Sequence, residues 1–322
     1  MKILTCGAYI PDKVLTNLDL EKIVDTSDKW IKERTGIEER RIEEEKSTAS
    51  MALEALENAL SKVNDPKSIL ENTLGIIVAT STPDYLFPST ACLVQGKLIE
   101  KYNLKNPPQV CFDILAACSG FIYAIYNAYN LLKQSEKKYF IVIGSEKYSK
   151  IVNWKDRATC ILFGDAAGCT ILEKGDQDHF LSFDIGADGR YKNLLYVPCI
   201  DSMDDQDKYL KMKGNEVFKI AIRSLSSSIL KVLKKANKKP EDISYVIPHQ
   251  ANIRILKLVA ERTKIPLEKF FINIEKLGNT SAASIPVAMN EAIEKNLIKR
   301  GDLVLLTAFG GGFTWGSILL KF

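Results

Sequence analysis

Histidine is almost missing from this chain: His179 and His249 are the only two in 322 residues, and neither lies beside a cysteine pair. The seven cysteines, Cys6, Cys92, Cys111, Cys118, Cys160, Cys169 and Cys199, form no CxxC unit. An odd count without paired spacing argues against both a disulfide framework and a zinc site. Most of these thiols therefore read as small buried apolar side chains, and no metal is expected. Long hydrophobic runs are also lacking, since none approaches the roughly 20 residues that span a bilayer. The amino-terminal segment surrounds only a short apolar stretch with Lys2 and Pro11-Asp12, without the h-region and cleavage site of a secretory signal. A cytoplasmic, non-membrane protein is the expectation. Charge of either sign is scarce in excess: 44 Lys+Arg against 40 Asp+Glu leave a formal +4, too little to imply nucleic acid. The densest basic stretch, Lys231 to Lys239, reads as a solvated helix end and loop.

What is present is an ordinary apolar content of 46%, enough for a large core, with no low-complexity linker to divide it. Short β-rich apolar runs alternate with helical patterns, which argues α/β layering. The order repeats. The first pass predicts a strand over 75–80, a helix over 89–102, a strand over 109–114, a helix after Cys118 and a strand over 139–144. The second predicts a strand over 243–247, a helix over 252–263, a strand over 270–274, a helix after Asn279 and a strand over 303–308. Superposing the passes puts Cys118 and Asn279 at one place, each just before a helix, with His249 after the matching strand. The chain thus divides into halves of 1–173, carrying the cysteine, and 174–322, carrying the histidine and asparagine.

The run DILAACSGF (113–121) ends a strand at small residues and begins a helix near Ser119. A thiol at a helix start meets unpaired N–H groups and the positive end of the dipole, so the pKa of Cys118 is expected below the roughly 8.5 of a free cysteine. A thiolate exchanges acyl groups readily with thioesters. Taken alone, the run equally fits a buried structural cysteine beside two alanines. His249, in PHQAN (248–252), closes an apolar strand; a lone histidine is more often structural than catalytic. His179 lies in a polar turn and reads as a surface residue. Asn279, in GNTSAASIP (278–286), would by itself read as a helix cap. In AFGGGFTWG (308–316) three glycines follow a strand, as where backbone must approach a ligand or adopt positive φ, although glycine triplets also occur in plain turns.

These runs together resemble the β-ketoacyl-acyl carrier protein synthase III family, of the thiolase-like fold, over nearly the whole chain. SDKWIKERTGIEERR (27–41), the cysteine run, DRATCILFGDAAG (156–168), GNEVFK (214–219), PHQAN, GNTSAASIP and AFGGGFTWG stand in the family's order. The resemblance implies two pseudo-symmetric βαβαβ halves in a five-layered αβαβα architecture and a homodimer. It implies Cys118, His249 and Asn279 as the catalytic set, with an oxyanion held between the N–H groups of Cys118 and Gly311. Acyl-CoA and malonyl-acyl carrier protein are the implied substrates and partners, in a decarboxylative condensation that starts fatty acid synthesis through an acyl-Cys118 intermediate, without a cofactor. Trp30 and Arg157 would sandwich the CoA adenine, Arg34 would meet its phosphates, and Asn252 would line the pantetheine tunnel. Phe218 and Phe87 are implied tunnel walls, Phe87 across a dimer interface, and Arg254 the carrier-protein contact. Ala158 and Ala167 stand where glycine is more usual, with an expected effect on the acyl pocket. A same-fold acyltransferase or ketide-forming enzyme of a specialised pathway is the alternative, and a Cys-His-Asn hydrolase the rival from another class.

Overall fold

The computed structural model describes residues 1–198 and 208–322, so Cys199 lies outside the described residues. The first half contributes β1 (Lys2–Tyr9), β2 (Val14–Thr16), β3 (Glu39–Arg41), β4 (Thr73–Ala79), β5 (Val110–Ile114), β6 (Tyr139–Lys147) and β7 (Asp165–Glu173). Its helices are α1 (Asn17–Glu21), α2 (Asp28–Thr35), α3 (Thr48–Leu60), α4 (Pro66–Glu71), α5 (Thr90–Tyr102), α6 (Gly120–Lys133) and α7 (Arg157–Cys160). The second half has strands β8 (Phe180–Ala187), β9 (Leu195–Tyr196), β10 (Lys211–Met212), β11 (Tyr245–Pro248), β12 (Leu303–Gly310) and β13 (Thr314–Lys321). With them come α8 (Gly214–Lys235), α9 (Ile253–Thr263), α10 (Ile274–Leu277) and α11 (Ser284–Glu294).

Two sheets carry the fold. One has the order β1-β7-β6-β4-β5, the other β11-β12-β13-β8. In the first sheet β5, which leads to Cys118, pairs in parallel with β4 and β4 with β6; in the second β11, which leads to His249, pairs in parallel with β12; the remaining members run antiparallel. The middle strands are buried on both faces, as Ile76 to Ala79 illustrate, which is why they read as unbroken apolar runs and not as alternation. Between the sheets lie α6 and α11, whose Phe121, Ile125, Ala128, Ala288 and Met289 share one core with Val142 and Leu306. Outside the first sheet Ala52, Leu56, Val94 and Leu98 of α3 and α5 pack on Ile76 and Ile143. Ile222, Ile229, Leu256 and Val259 of α8 and α9 cover the second through Leu305 and Leu319. The sequence of layers is αβαβα. At roughly 1.5–3 kcal/mol per fully buried large apolar side chain, these three cores hold the sandwich together.

The repeat is legible but incomplete. The expected strand over 270–274 does not form: Phe270 makes one isolated parallel bridge to Val246, and the Phe271 N–H reaches the Val246 carbonyl at 2.9 Å. From Ile274 the chain is already helical. Pro266 and the short turn Leu267–Lys269 end just before this segment, leaving too little extended chain to build a fifth ladder. The predicted pairing of Cys118 with Asn279 also shifts. A 3₁₀ turn over Ala117–Ser119 precedes α6, and one over Ser281–Ala283 precedes α11, so the residue equivalent to Cys118 is Ala282. Ala117 and Ser281 occupy matching positions, and both have positive φ, 45° and 49°.

Candidate active site

Each half delivers its site residues through a strained turn. β5 ends at Ile114, and Ala117, in a left-handed conformation that costs a non-glycine residue energy, reverses the chain into the turn that carries Cys118. The Ala116 carbonyl ties this turn down, accepting the N–H and hydroxyl of Ser119 at 3.2 and 2.8 Å. Ser119 Oγ also lies 2.7 Å from Thr314 Oγ1 on β13. The glycine triplet serves this approach. A Cβ on Gly310 would stand 2.6 Å from the Cys118 nitrogen and 2.9 Å from that of Ser119, so only glycine lets β12 touch the nucleophile turn. Gly311, the expected oxyanion donor, follows directly, and a Cβ there would crowd the Leu195 carbonyl at 3.1 Å.

Asn279 is held by the segment after α7. Its N–H donates to the Leu162 carbonyl at 2.8 Å, and its own carbonyl accepts the Gly164 N–H at 3.0 Å, a parallel bridge beside Phe163. That contact explains why the 156–168 run belongs with the site. Asn279 Oδ1 accepts the N–H of Ser281 at 2.9 Å, which leaves the Nδ2 hydrogens for a substrate oxygen. His249 follows β11, its N–H on the Thr307 carbonyl at 2.8 Å. Its Nδ1 lies 2.7 Å from Ser284 Oγ. Burial pushes the imidazole down to about 3, with a hydrogen bond to the Ser281 backbone pulling the other way, so His249 is neutral at physiological pH.

One residue joins the three. The N–H of Ser281 donates to Asn279 Oδ1 at 2.9 Å, its carbonyl accepts at 2.8 Å from the Ser284 hydroxyl that lies 2.7 Å from His249 Nδ1, and its side chain pulls the Cys118 thiol pKa down. Cys118 and His249 are each 5% exposed and Asn279 is 6% exposed, so access is narrow. The expectation of a lowered cysteine pKa is overturned. Removal from water dominates and pushes the Cys118 thiol from 9.0 up to about 12; Ser281 pulls it back, and the nearby Glu146 carboxylate raises it further. The thiol does sit at a helix start, but a fully buried sulfur pays a desolvation cost larger than the dipole returns.

Glu146 is a group the sequence reading missed. It stands one residue before the end of β6 at 0% exposure, and burial lifts its carboxyl from 4.5 to about 7. Its Oε2 accepts the Ser81 N–H and Thr82 hydroxyl at 2.9 Å each and the Thr80 hydroxyl at 3.4 Å; Oε1 accepts the Ser281 hydroxyl at 3.0 Å. A glutamate inside an otherwise apolar strand was the available signal, because buried charges are kept for a reason.

The expected CoA residues cluster at the surface. The Arg157 guanidinium lies 5.0 Å and that of Arg34 6.0 Å from the Trp30 ring centroid. Asn252 has both ends of its amide engaged, Oδ1 capping α9 through the Arg254 N–H at 2.9 Å and Nδ2 on the Arg34 carbonyl at 3.0 Å. It therefore ties α9 to α2. Arg254 stacks at 5.2 Å over Phe218, so the expected docking and tunnel residues are neighbours. Phe87 is 85% exposed and walls no tunnel within its own chain. Ala167 packs in the outer core with Ile143, and Ala158 is exposed on α7, so neither substitution gains support as a reshaper of the acyl pocket. Among the described residues no group of three or more His, Cys, Asp or Glu is arranged to hold a metal ion, and no helix is long and apolar enough to cross a membrane.

Comparison with known proteins decides the relationship. A β-ketoacyl-[acyl-carrier-protein] synthase III of Aquifex aeolicus (strain VF5) is 50% identical over 322 residues, covering 100% of this chain and 99% of that one. The chain belongs to the β-ketoacyl-[acyl-carrier-protein] synthase III family. The synthase III of Natranaerobius thermophilus is 49% identical over 334 residues, covering 99% of this chain and 98% of its own. Family models described as 3-oxoacyl-[acyl-carrier-protein] synthase III and as its C-terminal part match residues 112–189 and 233–322. The crystal structure of the synthase III from Aquifex aeolicus VF5 superposes with a TM-score of 0.92 at 49% identity, covering 100% of this chain and 99% of that one. The thiolase-like α/β fold of synthase III enzymes is therefore the fold of this chain, and condensing acyltransferases are its kin.

Proposed function

We propose that this protein condenses an acyl-CoA primer with malonyl-acyl carrier protein to start fatty acid synthesis, with Cys118 carrying the acyl group between the two half-reactions. The observation that carries this reading is the gathering of Cys118, Asn279 and His249 about one turn: the Cys118 turn packs on it, its Ser281 N–H holds Asn279 Oδ1, and its Ser281 carbonyl shares the Ser284 hydroxyl with His249 Nδ1. In the first half-reaction the Cys118 sulfur attacks the thioester carbonyl, and the developing oxyanion is taken by N–H groups at the Gly310–Cys118 approach, those of Cys118 and Gly311. CoA leaves. In the second, the malonyl group loses CO₂, and the Asn279 amide and the neutral His249 ring donate to the enolate oxygen. The carbanion then attacks the acyl-Cys118 carbonyl. No step calls for a cofactor.

The donor role of His249 sets a condition on Ser284. Its single hydroxyl hydrogen has two acceptors in reach, His249 Nδ1 at 2.7 Å and the Ser281 carbonyl at 2.8 Å. Only when it goes to Nδ1 does Nε2 carry a hydrogen for the enolate. The Trp30, Arg157 and Arg34 cluster supports nucleotide binding, with adenine entering between indole and guanidinium. Exposed Arg254 over Phe218 suits an acidic carrier protein delivering its arm beside α9. Tyr85, Leu86, Phe87 and Leu115 are all exposed apolar residues flanking the nucleophile strand, and this supports a homodimer in which Phe87 reaches the partner's site. The test is His249→Ala assayed in both half-reactions. Acylation of Cys118 by acyl-CoA should survive far better than formation of 3-oxoacyl product, and loss of acylation outright would overturn this division of roles.

A further inference from the structure

The mechanism above leaves the thiol proton of Cys118 without a destination. His249 is engaged through Nδ1 with Ser284 and serves as a donor. The turn beside the thiol carries Ser281, whose side chain pulls the thiol pKa down and whose hydroxyl donates to Glu146 Oε1 at 3.0 Å. We infer that Glu146 receives the Cys118 proton through Ser281 Oγ during acylation, holds it while the acyl-enzyme stands, and returns it when the carbon–carbon bond forms. This rests on the functional reading above and deepens it.

The geometry sets a single direction. Glu146 accepts from Ser81 N–H and from the hydroxyls of Thr80 and Thr82 on Oε2, so Oε1 is the oxygen left for a moving proton. The Ser281 hydroxyl donates to that oxygen, and the turn that carries Ser281 packs on the turn that carries Cys118, the arrangement a two-step proton transfer needs. Ser281 is fixed by its left-handed backbone and by the Asn279 cap on its N–H. The titratable groups facing Glu146 are the Cys118 thiol and the Tyr148 phenol, whose oxygen lies 3.1 Å from Ser281 Oγ; both are pushed up by burial. Lys147, on the other face of β6, is held by the Lys46 carbonyl at 2.8 Å. Lifted to about 7, the Glu146 carboxyl can both take and give a proton near neutrality.

The chemistry balances. As the sulfur pair of Cys118 forms the C–S bond to the acyl carbon, the S–H proton passes to Ser281 Oγ and the hydroxyl proton of Ser281 to Glu146. CoA departs with the electron pair of its own C–S bond and takes a proton from water. In the second half-reaction the C–CO₂ pair of malonyl becomes the new C–C bond, CO₂ leaves, and the acyl C–S pair returns to sulfur. That sulfur recovers its proton from Ser281, which is refilled from Glu146. Because the proton moves while the C–S bond forms, no free thiolate has to persist in a site that disfavours it.

Glu146 acts through another group and is a positioning and proton-holding residue, so the test reads the thiol directly. Cys118 is alkylated with iodoacetamide from pH 5 to 9 in the wild type, Glu146→Gln and Ser281→Ala, with circular dichroism verifying folding and acetyl-CoA acylation measured in parallel. The wild-type rate should rise with a midpoint near pH 7. In both variants that midpoint should vanish, with alkylation and acylation at pH 7 slower by about a hundredfold. A carboxylate that only repels the thiolate predicts the opposite sign, faster alkylation in Glu146→Gln. Equal or faster rates, or slower rates that keep the midpoint, would overturn the relay. Should Glu146→Gln fail to fold, Ser281→Ala cuts the same path with Glu146 in place. Wild-type protein that shows the midpoint yet accepts no acyl group would sink the functional reading and leave the relay standing.

Discussion

Replacing Glu146 by glutamine should change how stability depends on pH. In the folded chain burial lifts this carboxyl from 4.5 to about 7, so the folded state holds the proton to a higher pH than the unfolded state does. The stability it contributes is therefore intact below about pH 4.5, falls as pH rises, and levels off above about pH 7. A shift of this size corresponds to about 3 kcal/mol lost between pH 4.5 and pH 8. With roughly 2 cal/mol/K of unfolding entropy per residue, a chain of 322 residues converts that into about 4–5 °C of midpoint. Glutamine keeps one oxygen for the Ser81 and Thr82 donors and turns its amide toward Ser281, so the packing is preserved. Thermal unfolding of both proteins from pH 4.5 to 8 should show the wild type losing about 4–5 °C relative to Glu146→Gln across the range. Parallel curves would mean that Glu146 is ionised at no cost in the folded protein, and the account of this buried carboxyl would be wrong.

Two other outcomes follow from the geometry. Gly310→Ala places a Cβ 2.6 Å from the Cys118 nitrogen, so the turn must shift; acylation should fall at least a hundredfold, read as the rate of adduct formation by intact mass, while Gly214→Ala, at an open position, serves as control. Trp30→Ala and Arg157→Ala should each raise KM for acyl-CoA about tenfold with little change in kcat, since stacking holds the nucleotide away from the reacting atoms; steady-state kinetics decide it.

How far the sequence led can be judged residue by residue. Cys118, His249 and Asn279 stood out because each follows a run whose period changes, while the repeat set Cys118 against Asn279 where the structure sets it against Ala282, and the family resemblance is what joined the three as one set. The alternation gave α/β layering, and the five layers came from the family resemblance. The strand over 270–274 was misread, since Phe270, Phe271 and Ile272 have β propensity while neighbouring turns decide whether a ladder can grow. The sign of the Cys118 shift was missed because spacing reveals the helix start but not the depth of burial, and here burial wins. Nothing in the run 278–286 singled out Ser281, whose left-handed backbone turns its N–H, carbonyl and hydroxyl toward three different partners, a tertiary fact. Phe87 was expected to wall the tunnel across a dimer interface, and within its own chain it is 85% exposed.

The central claim is that Cys118 relays an acyl group from CoA to a carbanion, and intact-mass measurement tests it most directly. Wild-type protein incubated with a short acyl-CoA should gain the mass of one acyl group, and addition of malonyl-acyl carrier protein should discharge it with the appearance of 3-oxoacyl-carrier protein. Cys118→Ala should show neither change. An adduct that survives in Cys118→Ala, or the absence of condensed product with any short or branched acyl-CoA, would contradict the account.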